Sequence, residues 1–597
     1  MYVKRHKVRR QGREYTYLRL VEAYRTEDGK VRHRLLHTLG REDVLKSSGQ
    51  LDQLAASFAR LDPPPVGTRR QVGALLLVRH YLRRLDLVEV IDRVAPMKGR
   101  AQLTHGEVVS ALVANRLSAP SPLYDVAGWA SSAALAELFD IPAMLLNDDR
   151  LGRALEALAP VAEQVRGELA LAAARTGGAD LSRLHLDLTA VRFAGAYEHS
   201  AMVERGWAAD RSIGRQVRTL QASTVDGVAV YYRAHKGAAS EVVCFAEAME
   251  RLRTLAPPGL VVVADSALGY LRHLCAADRA GLRFVVPLRA DTGWADRFRA
   301  DVGDLDQLVD LPHLSHREQN LPADKRTRWK GLLRPYPVSD PDEKYNSHHD
   351  LRVAYIWSSE EAASVAEART RALDAADAAL TRVRNGLGGR YYRTQNDVDT
   401  KLAQIIGKNI TALLHVTTGT DPDTAKPTLT WQRDQDAITA AGRLDGLYAL
   451  ATNLPNPKRG KPITAAHVLK IYKDQWVVEQ RHRDLKQTLR VRPVFLHNDD
   501  RITALVAVVG IALLIFGLIE ADLRRALGPT TPLPGLLGEG RAAKPTGRNI
   551  LTALADLHLT YTTTGPVLDR LTQTQRTILA HLDIPLPWLE MIDKADR

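Results

Sequence analysis

Residues 181–193 read LSRLHLDLTAVRF. Apolar residues fall at every second position, so Leu184, Leu186 and Leu188 share one face of a strand and His185, Asp187 and Thr189 the other. From about residue 69 to 176 the apolar residues instead recur at three and four, the period of helices. The change of period at Leu181 marks where a helical domain gives way to a sheet. Asp is disfavoured inside a strand, so Asp187 either sits on an edge in water or is kept for a role.

Downstream, RQVRTLQAST (215–224), the turn VDG and VAVYYRAH (228–235) complete a meander of three strands. ASEVVCFAEAMERLRTL (239–255) reads as a helix, broken by APPG. LVVVAD (260–265) is a continuous apolar run, the mark of a strand buried on both faces. A helix over 266–281 and a strand over 282–289 follow. The order β-β-β-α-β-α-β is the layout of an RNase H-like core. The expected fold class is therefore an α/β catalytic core of RNase H-like fold with a β-rich and helical insertion, preceded by a basic β module and an all-helical domain.

Six regions are expected. Residues 1–60 form the basic β-hairpin module, with a turn at Asp28–Gly29; the stretch LDPPPVGT (61–68) is a linker. Residues 69–176 are helical, with Thr104 and Asn147 as N-caps. Residues 181–290 are the first part of the core, 291–440 the insertion, 441–527 the second part of the core, and 528–597 a helical region that could serve dimerisation. Within the insertion, Ser358 and Glu361 read as a capping box opening a long helix that closes near Gly386.

Composition narrows the class. The 597 residues carry a net charge of +13, of which +7 falls in residues 1–40. A basic arm suits a polyanion. Two cysteines, Cys244 and Cys275, leave no disulfide framework and no Cys-rich zinc module. The setting expected is cytoplasmic, and the N-terminus shows no signal peptide. The apolar run 504–519 has 16 residues, short of the roughly 18–20 that cross a bilayer, and reads as a buried helix. No GxxxxGK[ST] loop, HExxH or CxxC pair is present, so neither ATP nor a structural zinc is expected.

Asp265 ends its strand at the carboxyl end, where α/β sheets place ligands; alternatively it caps the next helix. In an RNase H-like core the first and fourth strands are neighbours, so Asp187 and Asp265 would project to one spot. Two close carboxylates cannot both stay ionised without a cation. Oxygen ligands favour Mg²⁺ or Mn²⁺, and two such ions suit phosphoryl transfer.

A third acid is expected from YKDQWVVEQRHRDLK (472–486), read as one helix. Seven residues advance a helix by nearly two turns, so Tyr472, Glu479 and Lys486 share a stripe, flanked by Gln475, Trp476, His482 and Arg483. Asp474 and Asp484 point to the far side. Lys486 and Arg483 can neutralise phosphates. Tyr472 can bond a phosphate or stack on a base, and Trp476 can do the same or pack in the core.

With these residues in view, the chain resembles insertion-sequence transposases of the DDE type, in the group whose third acid lies in a Tyr-x2-Arg-x3-Glu-x6-Lys motif. Tyr472, Glu479 and Lys486 stand at those spacings, while Gln475 occupies the Arg position and brings no charge. Arg481 or Arg483 could compensate. DGLYALATN (445–453), LVANRLSAPSPL (112–123) and NDDRLGRALEAL (147–158) also look like that group, so the likeness spans most of residues 1–525. It implies Asp187, Asp265 and Glu479 as catalytic and metal-binding acids holding two Mg²⁺ or Mn²⁺ ions. It also implies contact with DNA through Tyr472, Gln475, Trp476, Arg483 and Lys486. The partners implied are double-stranded DNA, as terminal inverted repeats and as target, and a second copy in the DNA complex, in a bacterial cell at the nucleoid. The activity implied is cut-and-paste transposition. Alternatives are an RNase H-like nuclease without strand transfer and a catalytically silent DNA-binding relative.

Overall fold

The computed structural model of the chain describes residues 2–585 except 11–12, 27–29, 49, 51–63, 98–100, 208–211, 256–258, 316–317, 408–409, 457–460, 490–495 and 497, and leaves aside the side chains of 10, 13, 46, 253–255, 476, 485 and 487. Two compact units emerge. One holds Met1–Asp180, Leu188–Ala239 and Val478–Arg597, the other Leu181–Asp187 and Ser240–Val477.

The first unit is organised around one helix, Asp499–Leu527, begun by Asn498, whose side chain accepts from Arg501 N at 3.0 Å. Its length and composition would let it cross a membrane, yet its apolar stretch is buried inside protein. A helix apolar all round needs such cover. Helices Leu75–Arg84, His105–Ser118, Asp148–Leu158 and Ala162–Arg175 and strand Ala229–His235 supply it. The expected caps are formed. Thr104 Oγ1 accepts from Glu107 N at 3.1 Å while the Glu107 carboxylate takes Thr104 N at 2.7 Å. Asn147 accepts from Arg150 N at 3.0 Å.

Inside this packing Glu520 is 3% exposed. Its carboxylate meets Arg481 at 2.8 Å and Arg524 at 2.5 Å and accepts from Gly547 N at 2.7 Å. Arg481 is buried as well and also bonds Asp484 (2.8 Å) and the Gly227 carbonyl (2.6 Å). Gly227 sits at φ +82°, and a Cβ there would meet the Arg481 guanidinium at 2.7 Å, so the turn needs glycine twice over.

At the N-terminus, Tyr2–Arg10, Arg13–Arg25 and Val31–Arg41 form a three-stranded antiparallel sheet. The first of these strands is additional to the hairpin expected over 14–39. The Asp28–Gly29 turn and part of the 61–68 stretch lie outside the described residues. The C-terminal region, expected to be helical, has helices Gly547–Leu554 and Gln573–His581 but also a hairpin, His558–Thr562 with Gly565–Leu568. The threonine-rich run favours a strand, and it pairs with Arg69–Gln71 of the same chain.

Strand Arg183–Arg192 contributes to both units. Its second half neighbours Ile213–Thr224, which pairs antiparallel with Ala229–His235 and with the short Glu204–Trp207. Its first half is the last strand of the second unit's sheet. That sheet runs Val309–Asp310, Trp329–Ser339, His348–Ser358, Leu447–Thr452, Arg283–Pro287, Val261–Val263, Arg183–Arg192. The last three are parallel neighbours. As the unbroken apolar run requires, Leu260, Val262, Val263 and Ala264 are all buried.

The segment 291–440, expected as one insertion, is of two kinds. Trp329–Ser339 and His348–Ser358 extend the sheet, because Leu447–Thr452 pairs with His348–Ser358 on one side and Arg283–Pro287 on the other. Leu351 and the run Val353, Ala354, Tyr355 and Ile356 are buried, as a central strand demands. After them, helix Ser359–Asn385, capped by Ser358 on Glu361 N, packs with Gln395–Ile405 and the hairpin Leu414–Thr420/Pro427–Arg433 around small cores of its own.

Replacing Glu520 with Ala leaves Arg481 buried beside Asp484 alone. The expected loss is about 3–5 kcal/mol of stability, read by urea unfolding, whereas exposed Arg483→Ala stays near wild type.

Candidate active site

Strand pairing sets Asp187 and Asp265 level. Arg183, Leu184 and His185 pair in parallel with Val261, Val262 and Val263, and each acid stands two residues beyond the His185–Val263 pair. Asp187 lies within its strand and Asp265 just past the end of Val261–Val263 in extended backbone, so period-two alternation carried on by two residues puts them on the same side, in keeping with the Asp187 charge acting on Asp265. Both are half-buried. Burial pushes the Asp265 carboxyl up to about 6; its bond from Ala267 N draws it back, Asp187 and Glu241 raise it, and Arg289 lowers it. His185, one position before, is fully buried and held down to about 4 by that burial and by Arg183. It is neutral at neutral pH and adds no cation.

The capping alternative for Asp265 is also realised. Its Oδ1 accepts from Ala267 N at 2.9 Å and opens the short turn Ser266–Leu268. A cap engages one oxygen and leaves the acid its charge. Asp187 is not on an outer edge, since its strand has a neighbour on each side. Glu241 and Arg289, the other charged groups acting on Asp265, escape sequence reasoning. Glu241 opens helix Glu241–Leu255 and reads as an ordinary first-turn acid, and Arg289 sits in a loop 4.4 Å over the Tyr270 ring.

Two neighbouring oxygen-donor acids, with burial and the Asp187 charge opposing ionisation of Asp265, fit a divalent cation. A second group, Cys275, Asp340 and His349, brings possible ligand atoms within 4.8 Å of one another. There Arg279 already pairs with Asp340, and His349 bonds Asp278 at 2.8 Å.

The stretch 472–486 corrects one expectation. It is not one helix. Ala465–Lys473 ends, Asp474 and Gln475 form a turn, and Trp476–Gln487 begins. Backbone bonds there tighten to three-residue spacing, Gln475 N to Tyr472 O and Val477 N to Asp474 O. The seven-residue phase therefore holds from Glu479 to Lys486 but not from Tyr472. Tyr472 packs on the core of the second unit, its ring 6.4 Å from Tyr448, so it is not an open stacking platform. Gln475 is half-buried in the turn. The Trp476 side chain lies outside the described residues.

In Trp476–Gln487, Glu479 and Arg483 are exposed in the first unit. Lys486 is exposed too and donates to Thr189 Oγ1 at 2.6 Å. The two rival acids are engaged elsewhere. Asp474 pairs with Arg183 at 3.0 Å, and Asp484 pairs with buried Arg481. That pairing also removes Arg481 as a substitute for the missing arginine at Gln475; Arg483 keeps its exposure.

Three family models match the chain. Residues 3–64 match the N-terminal domain of IS1634 family transposases, 68–165 match DUF4277, a domain of unknown function, and 180–515 match the transposase DDE domain. No curated protein matches. Among solved structures, one match is the cryo-EM structure of the piggyBac transposase synaptic complex with hairpin DNA. It is 8% identical, with 89% of this chain and 87% of that chain covered and a TM-score of 0.32.

A carboxyl raised on folding holds its proton more tightly in the folded chain, so stability falls as pH rises from about 4 through about 6 and is level above. Asp265→Asn is expected to abolish that fall. In EDTA at pH 7 the variant gains about 2 kcal/mol over wild type after allowance for screening, and the two converge near pH 3.5, by chemical denaturation.

Proposed function

Because the chain belongs to the insertion-sequence transposases that carry a DDE domain, enzymes that cut DNA and transfer strands, we propose that Asp187, Asp265 and Glu479 are its three catalytic acids. The observation that carries this is the level placement of Asp187 and Asp265 on parallel neighbouring strands, with Asp265 raised by burial and by Asp187. Glu479 enters from its seven-residue register with Lys486 and from the engagement of Asp474 and Asp484 in other pairs. An RNase H-like core is supported by strand neighbours. Arg183–Arg192 has Ile213–Thr224 on one side and Val261–Val263, then Arg283–Pro287, on the other.

The three acids would hold two Mg²⁺ or Mn²⁺ ions, which when bound lower the pKa of an attacking oxygen and stabilise the leaving one. The chain's own groups have separate tasks. The paired carboxylates fix the geometry of an in-line displacement and supply no net positive charge. Exposed Arg483 and Lys486 offer cations to phosphates along the same helix. Gln475 offers a neutral bond where the motif has arginine. The substrates are the terminal inverted repeats and a target duplex. A water oxygen bonds to phosphorus at the element end and the 3′ oxygen leaves. That 3′-OH then bonds to a target phosphorus and displaces a target 3′ oxygen. A second copy of the chain in the DNA complex would align two ends.

Cleavage of a labelled element end in Mg²⁺ tests the assignment. Asp187→Asn, Asp265→Asn and Glu479→Gln are each expected to reduce it by roughly 10³-fold or more while end binding, read by gel shift, survives. Cleavage retained by any one variant removes that residue from the triad. Pre-cut ends that bind without joining target DNA would make the protein a nuclease.

A further inference from the structure

The motif LVANRLSAPSPL has a place in the fold that the catalytic acids do not explain. It ends helix His105–Ser118 and opens the loop beyond it. Asn115, fully buried, fixes that loop. Its amide donates to the Ala119 carbonyl and the Ser121 hydroxyl, both at 3.0 Å, and its Oδ1 accepts from Ser121 N at 3.3 Å. The loop thus holds its shape without a ligand. It lines a cavity of about 590 Å³, wholly within the first unit, together with Arg116, Trp129 and Arg548.

Arg116 is only 7% exposed. Among the described residues no hydrogen bond or ion pair to its guanidinium is found, and its Nε is buried without a partner. Burial alone lowers it, to about 10, so it stays cationic at neutral pH with no countercharge. The contrast with Arg481, which meets two carboxylates and a carbonyl, is direct. A buried, unanswered cation is strongly disfavoured, and in packing terms a methionine would serve better. Arg548, exposed on helix Gly547–Leu554, adds a second guanidinium to the lining. One acid, exposed Asp125, also lines it.

We propose that this cavity is a binding site for the phosphate of a nucleotide, with Arg116 as its buried anchor and Arg548 as its second cation. Guanidinium groups match phosphate oxygens in geometry and charge. The Ser121 hydroxyl, which accepts from Asn115 Nδ2, keeps its own proton to donate, whereas Ser118 Oγ already donates to the Ala114 carbonyl. The volume exceeds a lone phosphate and suits a nucleotide, with Trp129 as an apolar wall for the base. The nucleotide is either free or part of a DNA strand. The site is separate from Asp187 and Asp265, and its occupancy does not depend on them.

Thermal shift and calorimetry on the full chain in EDTA test this, with dTMP, thymidine and a 5′-phosphorylated oligothymidylate as probes at fixed ionic strength. The melting midpoint is expected to rise with dTMP or the oligonucleotide and not with thymidine. Saturation by dTMP at lower concentration identifies a free nucleotide; saturation by the oligonucleotide alone identifies a DNA strand. Arg116→Met is expected to raise the ligand-free midpoint, since it removes a desolvated cation, and to abolish the response. Arg548→Ala weakens binding about tenfold, and Asp265→Asn leaves it intact. Equal responses to thymidine and dTMP, no response to any probe, or an undiminished response in Arg116→Met overturns the assignment. Should Arg116→Met not fold, unchanged affinity in Arg548→Ala does so by itself.

Discussion

The constraint on which the rest turns is the burial of the Asp265 carboxyl next to a second acid, Asp187, on a parallel strand pair. Val261–Val263 is buried, and the pairing of His185 with Val263 leaves no slack in where Asp187 and Asp265 emerge. His185 is neutral, Glu241 adds repulsion, and Arg289 answers in part. A chain under selection for stability alone would place an amide or an apolar residue there. On the proposed reading their charge is used on a divalent cation that comes from outside the fold.

The buried charges around the long apolar helix are handled differently. Arg481, Asp484 and Glu520 satisfy one another and the Gly227 carbonyl, so they lock helix Trp476–Gln487 to the long buried helix within the first unit. That lock disposes of Asp484 and Arg481 as active groups. Asp474 is disposed of by Arg183. Among the described residues, those exposed on the helix are Glu479, Arg483 and Lys486, an acid and two cations within two turns.

Much of this was legible in the sequence wherever structure is decided locally. The alternation of 181–193, the unbroken LVVVAD run and the caps at Thr104, Asn147 and Ser358 each rest on residues within a few positions of one another, and each has its counterpart in the fold. The long apolar helix was legible because a helix apolar on every face needs cover, which the protein supplies. Other features depend on partners far along the chain. Arg481 reads as a surface base until Gly227 and Glu520 close on it. The strand His348–Ser358 reads as part of an insertion until Leu447–Thr452 pairs with it. The break at Asp474–Gln475 is a local turn within a stretch whose composition suits an unbroken helix, and only the backbone bonds reveal it.

The central claim, that Asp187 and Asp265 together bind a divalent cation, is tested most directly by Mn²⁺ binding to the full-length chain, followed by electron paramagnetic resonance. Wild type should bind, with affinity rising as pH passes through about 6 and Asp265 loses its proton. Asp187→Asn and Asp265→Asn should each lose at least tenfold in affinity. Binding that is indifferent to both substitutions and to pH across that range would contradict it.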